Sequence, residues 1–592
     1  MFVGINLGIN QLRSSVSFSP ASLFAANEPG VWFDPSDLAT LYQDPAGTTP
    51  VTTPGQTVGL MLDKSQGLAL GAELWTNTGV IGMSATIAAN GTGWNVTSTG
   101  TSFVGIRLNT ASLGTSSYKA TVSWSGNVNG RSIGILIGGG STILGTAVSG
   151  SVTLVHPSTG VSASIQLYAV SASIGETFTF TVASVRELPG NHATQATPTA
   201  RPNYGIEPVG GRRNLLTWSE GFDNAFWGGP GATVSANVTT APNGTTTADK
   251  LAEQATSGGH LIYNVSGLTS VAGQYTNSIY LKAAERGFGF VQIATDNATK
   301  RYTVVVDLST GAVTATSSTG TPTGIANSVV SAGDGWWRVS VRADHTSSLA
   351  YILAGPVPIG VPTFDANATP TYTGTAGSGI LLWGAQLELG STATAYQRVT
   401  TQYDVTEAGV ASTSYLAFDG VDDGMVTGTI TPGVDKAQIF AGVRKLSDAA
   451  LGMLVEFSVN APGASGSFYL AAPDLPARYS FFSRGNATVV LGQIATLSTG
   501  TAPDSAVITA TNNIPADLNT LSRNGVPGTS ATADQGTGNF LAYPLYIGRR
   551  GGTTLPFSGR VYSLITRFGA NLDTPTITNT ETWVAGKTGI AI

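Results

Sequence analysis

The sequence predicts an all-β protein built from tandem antiparallel β-sandwich domains. Only 10% of its 592 residues are charged, against a usual share of about 25%, and 75 residues are glycine. Apolar and polar residues alternate in short runs bounded by Gly, Asn and Ser, which is typical of short strands joined by tight turns. The sequence has no long helical periodicity with Glu–Lys pairs. A chain of this length exceeds a single hydrophobic core, so several domains are expected.

The charge and cysteine content exclude several classes of protein. The net charge is −6 and no run of Lys and Arg is longer than two residues, so the chain offers no basic field for nucleic acid. It contains no cysteine, which excludes disulfides and thiolate metal sites. The segment Met1–Asn10 lacks the charged start and apolar run of a secretory signal, and no stretch approaches about 18 apolar residues. We therefore expect no nucleic-acid partner, no membrane insertion and synthesis in the cytoplasm without a signal peptide.

The first 30 residues carry two local signals. Alternation over Phe2–Leu7 predicts a strand, and Ser19 followed by Pro20 predicts a short helix over residues 19–24. We interpret residues 1–30 as an N-terminal attachment arm, with a flexible terminus as the alternative.

Several short motifs separated by turn residues follow this arm. They read Trp32-Phe33-Asp34-Pro35-Ser36-Asp37, Leu41-Tyr42-Gln43-Asp44, Gly47-Thr48-Thr49-Pro50-Val51, Asp63-Lys64-Ser65-Gln66-Gly67, Gly190-Asn191-His192-Ala193-Thr194-Gln195, Arg201-Pro202 and Gly210-Gly211-Arg212-Arg213-Asn214-Leu215-Leu216. Together they resemble a module found near the start of many tailed-bacteriophage structural proteins. The resemblance implies a virion component in which residues 31–71 and 189–213 form one interrupted module, serving as a linker or collar. Residues 72–188 would then be a domain inserted into a surface loop, where insertions are best tolerated.

Two further segments are expected to form related β-sandwiches. Residues 72–188 contain alternating runs such as Tyr118–Trp124. Residues 214–400 contain three blocks that resemble a sandwich common in phage tail proteins, namely Asn277–Ala283, Tyr302–Gly311 and Gly335–Val341. Both segments open on a Trp-containing stretch and close on a similar strand. They resemble a degenerate repeat of the jelly-roll kind seen in carbohydrate-binding modules.

Residues 401–592 are expected to form a third sandwich. The block Tyr415–Asp423 resembles the opening strand of laminin-G/concanavalin-like domains, and Leu545–Arg549 and Phe557–Ile565 resemble their late strands. In such domains a short terminal helix follows, and Asp573-Thr574-Pro575 would begin that helix, which we expect to end near Val584.

Aromatic residues are the candidates for ligand contact. Flat aromatic faces stack on the C–H surfaces of sugars and leave the ligand's hydroxyls free. Trp227, either Trp336 or Trp337, and Tyr396 are the candidates for an exposed platform. Because Trp336 and Trp337 are adjacent, one should face the core and the other should face away. The alternative is that each of these side chains packs in a core or between domains.

No catalytic residue is predicted. The four histidines (His156, His192, His260 and His345) lack metal-ligand spacing. Asp422 and Asp423 are adjacent, so in a strand they would point to opposite faces, which is poor geometry for a catalytic pair. With Asp419 they are read as a structural turn, with metal ligation and catalysis as alternatives. No cofactor is expected, and calcium is left open as the ion that such oxygen ligands would bind.

The resemblances together imply a bacteriophage virion protein of tail-fibre or spike type, located on the particle surface and made in the host cytoplasm. Its N-terminal region would contact other phage tail or capsid proteins, and its sandwiches would bind host surface polysaccharide non-covalently. A homotrimer is expected by analogy with tail fibres, so avidity would replace single-site strength. The alternatives are a tail or capsid decoration protein without a glycan site and, third, a polysaccharide depolymerase.

Overall fold

The computed structural model describes residues 18–592 except 112, 158–159, 347, 475–476, 488–491 and 498–499. The predicted strand over Phe2–Leu7 and most of the attachment arm lie outside the described residues. The chain forms two compact units. One combines the residues up to Tyr204 with Ser414–Ile592, and the other, the middle unit, is Gly205–Thr413. Antiparallel strands dominate both units, which confirms the predicted all-β class.

The first strands are short, and a ten-stranded insertion follows them. The strands are β1 (Gly30–Phe33), β2 (Leu41–Tyr42), β3 (Leu60–Met61), β4 (Ile81–Met83), β5 (Ala85–Asn90), β6 (Gly93–Ser98), β7 (Val104–Asn109), β8 (Ser117–Ser125), β9 (Ile133–Ile137), β10 (Gly140–Gly145), β11 (Gly150–Pro157), β12 (Ser164–Ala169), β13 (Thr177–Leu188), β14 (Ala193–Thr194) and β15 (Asn203–Pro208). Short 3₁₀ helices lie at Pro20–Leu23, Leu38–Thr40 and Pro198–Ala200. The first confirms the predicted helix start, since the Ser19 side chain caps it and Pro20 begins it.

Strands β4–β13 form the inserted sandwich. Its two sheets have the orders β11-β8-β13-β6-β5 and β10-β9-β12-β7-β4. Inward-facing side chains from both sheets build one core, among them Val122, Ile135 and Phe180. Along β8, buried and half-buried residues alternate from Tyr118 to Trp124, as the sequence pattern predicts.

The middle unit holds eighteen of the described strands. They are β16 (Trp227–Gly228), β17 (Ala232–Thr239), β18 (Ala248–Glu253), β19 (Ser257–Gly258), β20 (Ile262–Asn264), β21 (Leu268–Ser270), β22 (Gly273–Ala283), β23 (Phe288–Thr295), β24 (Lys300–Asp307), β25 (Val313–Thr319), β26 (Ala326–Gly333), β27 (Trp336–His345), β28 (Ser348–Val357), β29 (Thr363–Phe364), β30 (Pro370–Thr373), β31 (Gly379–Leu389), β32 (Gln397–Thr401) and β33 (Asp404–Glu407). One large sheet runs β16-β20-β28-β23-β24-β25, and the other runs β17-β18-β31-β22-β27-β26. Apolar residues from both sheets, such as Val291, Val304, Val339 and Leu382, fill the core between them.

The C-terminal part of the chain adds twelve strands and a helix. They are β34 (Ser412–Asp419), β35 (Met425–Ile430), β36 (Lys436–Lys445), β37 (Met453–Phe457), β38 (Ser467–Asp474), β39 (Arg478–Arg484), β40 (Gln493–Leu497), β41 (Asp504–Asn513), β42 (Leu518–Arg523), β43 (Val526–Pro527), β44 (Tyr543–Ile547), β45 (Ser558–Phe568) and α1 (Thr574–Thr588), with a 3₁₀ turn at Ile514–Ala516. Asp573 caps α1 and Gly589 ends it in the left-handed region, so the helix runs a turn beyond the predicted end at Val584. No helix in the described part of the chain is both long and apolar enough to cross a membrane.

The interrupted module is not a separate linker or collar, because its strands complete the two sheets of the C-terminal sandwich. Strand β1 pairs with β45, from Gly30 opposite Arg567 to Phe33 opposite Leu564. Strands β2, β3 and β14 continue the other sheet, and β14 pairs with β35. We call this combined fold, β1–β3 and β14 with β34–β45, the frame sandwich. The sequence predicted two separate domains here, one from residues 31–71 plus 189–213 and the other from residues 401–592, whereas the structure combines strands from both in one sandwich.

A buried carboxylate joins the two halves of the interrupted module. Asp63 accepts hydrogen bonds from the backbone N–H groups of Trp32 (2.8 Å) and Asn191 (2.7 Å) and from both donors of Ser65. His192 accepts from the N–H of Asp63 at 3.0 Å, and burial lowers the pKa of this histidine to about 4. His192 is therefore neutral and structural. The motif residues on either side of the insertion fold as one element, although 124 positions separate Gly67 from Asn191.

The described part of the predicted attachment arm packs on the frame sandwich. Leu23 lies in a buried cluster with Trp32 and Val584, and Phe18 and Phe24 pack against that cluster. The Arg567 guanidinium donates to the carbonyl of Leu23 at 3.3 Å. Residues 18–24 are thus part of the folded unit.

Candidate functional site

Trp227, a predicted platform residue, lies in the core of the middle unit. It is 6% exposed, and its indole Nε1 donates to the carbonyl of Trp218 at 2.9 Å. Phe222 and Phe226 contact its ring, with centroids 4.9 and 5.2 Å away. The prediction of an exposed face at Trp227 is wrong, because the turn before β16 folds this ring inward to meet the sheets.

Trp336 and Trp337 point to opposite faces of β27, as expected of neighbours in a strand. Trp337 is half-buried against the core, and its Nε1 donates to the carbonyl of Leu308 at 3.0 Å. Trp336 is only 2% exposed, because the segment carrying Thr240 and Ala241 covers it, and its Nε1 donates to the Thr240 carbonyl at 3.2 Å. Neither ring is an open platform, so this prediction is also corrected.

Tyr396 belongs to the same outer-face cluster as Trp336. Its ring lies 4.6 Å from that of Trp383, and Tyr280 completes the group. The Tyr396 hydroxyl lies 2.8 Å from the Ser219 hydroxyl and donates to the Glu220 carboxylate at 3.2 Å. Burial and the Glu220 charge raise the pKa of Tyr396 well above its usual value. The structure thus brings Tyr396 and Trp336 into one aromatic cluster, which is packed instead of exposed.

Next to this aromatic cluster, the outer face of the same sheet carries a groove of about 410 Å³. We call it the arginine groove. Its lining comes from β22, β26, β27 and the loop after β31, and consists of Thr276, Ala326, Asn327, Ser328, Val330, Arg338, Ser340, Val341, Arg342, Ser391, Thr392 and Ala393. Most of these side chains bear hydroxyl, amide or guanidinium groups. Its volume lies in the range of small-molecule pockets, roughly 300–1,000 Å³.

Strand alternation places the polar residues of β27 in this groove. Val339, Val341 and Ala343 point into the core of the middle unit, and Arg338, Ser340 and Arg342 lie on the opposite face. Burial of each such valine stabilises the fold by roughly 1.5–3 kcal/mol, which fixes the register of β27. Cross-strand pairing then sets Ser340 opposite Ser278 on β22 and Ser328 on β26.

Neutral acceptors hold both guanidiniums. Arg338 donates through Nη1 to the carbonyl of Thr394 at 2.7 Å and through Nη2 to the hydroxyl of Ser278 at 3.0 Å. Its guanidinium carbon also lies 5.4 Å from the centre of the Tyr280 ring. Arg342 donates through Nη1 to the carbonyl of Ser391 at 3.1 Å. These contacts orient the two side chains, and none of them is to a carboxylate.

No carboxylate lies among the described residues that line the groove. Two carboxylates are near it on the same sheet face, and both are engaged elsewhere. Glu388 accepts hydrogen bonds from Gln386 at 2.7 Å and from Thr394, and Asp344 accepts from Gln274 at 2.9 Å. In the described part of the chain, Nε of Arg338 and of Arg342 is buried with no acceptor. The groove lining therefore carries two guanidiniums whose hydrogen bonds go to neutral oxygen atoms.

The sequence analysis missed these arginines. The signal was the run Arg338-Val339-Ser340-Val341-Arg342, in which period-two alternation puts the two arginines and the serine on one face. The loop residues 391–393 carry no comparable signal, because their position depends on packing after β31.

The predicted acidic residues Asp419, Asp422 and Asp423 do come together. One carboxylate oxygen of each lies within 4.8 Å of the others. Asp419 accepts from the N–H of Val421 at 2.8 Å, and Asp423 accepts from the N–H of Asp419 at 3.0 Å. Burial, with repulsion from Asp419, raises the pKa of Asp423 to about 7. This acidic turn is held by its own backbone, and its oxygen atoms suit a hard cation such as calcium.

A second cavity, of about 660 Å³, lies at one end of the inserted sandwich. It also contains an arginine, but Arg131 makes an ion pair with Glu176 at 2.6 Å. Asn129 donates to the same carboxylate at 2.7 Å. We call it the paired cavity, because its charge is satisfied internally.

No protein-family model matches the chain, and no curated protein matches it. Among solved structures it is similar to the CBM40 domain of Ruminococcus gnavus IT-sialidase bound to α2,3-sialyllactose, at 14% identity, over 25% of this chain and 83% of that one, with a TM-score of 0.21. The receptor-binding domain of botulinum neurotoxin D is 10% identical over 29% of this chain and 44% of that one, with a TM-score of 0.24. Domains LG4-5 of the mouse laminin α1 chain are 16% identical over 56% of this chain and 91% of that one, with a TM-score of 0.19. Scores this low carry no argument about a site or a ligand.

Proposed function

We propose that the protein is a glycan-binding virion component of a tailed bacteriophage, of tail-fibre or spike type, and that it binds host surface polysaccharide in the arginine groove without cleaving it. The groove carries the binding part of this proposal. It is open to solvent, and its lining combines apolar residues such as Val330 with hydroxyl, amide and guanidinium groups, which suit the hydroxyls of a saccharide.

The virion part of the proposal is supported by the module motifs. The motif residues form one buried network around Asp63 instead of scattered loops, so the resemblance extends to residues with a defined structural role. The N-terminal region would attach to other tail or capsid proteins. By analogy the subunits would form a homotrimer, in which repeated weak sites give avidity.

Binding to an array of bacterial surface polysaccharides tests the glycan part. A tryptophan at Ser340 would fill the groove, so Ser340→Trp should abolish the binding that the unaltered protein shows. Ser318→Trp is the matched control, because Ser318 is exposed on β25 in the other sheet of the same unit. Equal binding by both variants would place the glycan site elsewhere, and no binding by the unaltered protein would contradict glycan recognition.

The virion part needs a separate measurement. Particles purified from a bacterium that encodes this chain should contain its peptides at a fixed ratio to the other structural proteins. Absence of these peptides from infectious particles would refute a virion location, whatever the array shows. Sedimentation of the purified protein would establish whether it is a trimer.

A further inference from the structure

We infer that the arginine groove selects a saccharide bearing an anionic group, which Arg338 and Arg342 bind. The inference rests on the proposed glycan-binding function and specifies its ligand class. Its basis is the juxtaposition of two guanidiniums in a groove whose described lining contains no carboxylate.

The local charge of the groove favours an anionic ligand. The whole chain has a net charge of −6, but the described lining of the groove holds two arginines and no carboxylate. Some arginines elsewhere pair with a carboxylate, as Arg131 does with Glu176 and Arg286 with Glu253, whereas Arg201 donates to three backbone carbonyls. Among the described residues, neither Arg338 nor Arg342 lies within ion-pair distance of a carboxylate. An anionic ligand would supply the missing partner.

The orientation of the two guanidiniums also favours an anionic ligand. Hydrogen bonds to the Thr394 and Ser391 carbonyls and the Ser278 hydroxyl hold the guanidiniums with neutral groups, so their positions are set before a ligand arrives. Planar guanidiniums recognise carboxylate, sulfate and phosphate oxygens through paired hydrogen bonds. Guanidiniums held in this way favour an anionic group at a defined position on the ligand.

Spacing and lining indicate an extended ligand rather than a small free anion. The two arginines are four positions apart along β27, with three residues between them, which places their backbones about 13 Å apart. Ser340 and Ser328 lie between them, and hydroxyl groups suit sugar hydroxyls. The described lining has no aromatic side chain on which a nucleobase could stack, which disfavours single-stranded nucleic acid.

Titration with matched acidic and neutral polysaccharides tests the inference. The probes are polygalacturonate and its carboxyl-reduced form, polysialic acid, and dextran sulfate beside dextran. The protein should bind at least one acidic polymer at least tenfold more tightly than its neutral counterpart, and added salt should weaken that binding. Comparison of the carboxylated polymers with dextran sulfate identifies the anionic group that the protein prefers. Inorganic phosphate, added as a competitor at equal charge concentration, should have little effect on polymer binding.

Three variants connect the selectivity to the groove. Arg342→Ala should weaken acidic-glycan binding about ten- to a hundredfold, the loss expected for a hydrogen bond to a charged group. Arg342→Lys should restore part of it, and Arg131→Ala in the paired cavity should leave it unchanged. Arg338→Ala removes two structural contacts as well, so its thermal unfolding must be measured beside its binding.

Failure of the inference and failure of the proposed function give different results. Equal binding of acidic and neutral polymers, or unchanged affinity in Arg342→Ala, would overturn the anionic ligand while leaving glycan binding intact. Binding of neutral polymers but of no acidic polymer would likewise overturn the anionic ligand and leave glycan binding intact. Lack of binding to every polymer would contradict the glycan function and the inference with it.

Discussion

The arginine groove and the paired cavity contain the same kind of side chain in opposite electrostatic states. In the inserted sandwich, Glu176 contacts Arg131 at 2.6 Å, and this arginine holds the pKa of Glu176 below its usual value. In the middle unit, Arg338 and Arg342 donate hydrogen bonds to carbonyl and hydroxyl oxygens, and no carboxylate of the described residues lies within ion-pair distance of them. An internal partner turns an arginine into part of the fold, whereas neutral partners keep its charge available. The volumes do not make this distinction, since the paired cavity is the larger of the two.

The strongest way to break this contrast is to supply a carboxylate inside the arginine groove. Ser340 lies between the two arginines on the same face of β27, so Ser340→Asp should neutralise them and repel an anionic ligand. We expect acidic-glycan affinity to fall at least about a hundredfold, measured by calorimetry. Ser340→Asn has the same size without the charge and should keep most of the affinity. Retention of binding by Ser340→Asp would refute the role of the arginine pair.

The acidic turn gives the same contrast with the opposite charge. Asp423 has a folded-state pKa of about 7, above its ordinary value, so the folded protein holds its proton more tightly than the unfolded chain does. The free energy of unfolding should therefore fall by up to about 4 kcal/mol as the pH rises from about 4 to about 8. Calcium at the upper pH should recover part of that loss, because a cation would replace the proton. Chemical denaturation at several pH values measures both effects.

Asp423→Asn is the matched control for this pH effect. It removes the titrating group with little change of shape, so the pH-dependent loss and the calcium response should both shrink. A pH profile unchanged by this substitution would assign the dependence to other groups. Calcium stabilisation that persists in the variant would place the ion elsewhere.

The smallest expected effect comes from releasing the arginine of the paired cavity. Glu176→Gln leaves Arg131 with neutral partners and so converts this cavity toward the state of the arginine groove. The affinity of the Glu176→Gln variant for dextran sulfate should rise about two- to fivefold. The gain should be small, because breaking a partly exposed charge pair changes the binding free energy little. Arg131→Ala combined with Glu176→Gln should remove the gain. No gain in Glu176→Gln would mean that internal pairing is not what separates the two cavities.

Much of the fold follows from local patterns in the sequence. Period-two alternation identifies β8, and Asp573 with Pro575 identifies the start of α1. These signals are local because backbone hydrogen bonding and capping involve neighbouring residues. The alternation of Trp336 and Trp337 was predicted on the same basis.

The exposure of individual side chains and the pairing of distant strands could not be predicted in this way. Trp336 is covered by the segment around Thr240, almost a hundred positions earlier, so its burial depends on a tertiary contact. The pairing of β1 with β45 joins residues at opposite ends of the described chain. The arginine groove likewise needs β22, β26, β27 and the loop at 391–393 in one place. Each of these depends on which strands become neighbours, and residue spacing alone does not encode that.

The pairing of β1 with β45 has a consequence for biosynthesis. Gly30 emerges from the ribosome long before Arg567, its partner in the sheet, has been translated. The inserted sandwich and the middle unit are each contiguous in sequence and can fold while synthesis continues, as domains generally do. The frame sandwich must wait for its last strand, so the edge of the early strands stays open throughout translation. Premature termination would release a chain with two folded domains and an unfinished frame, a form prone to aggregation and proteolysis.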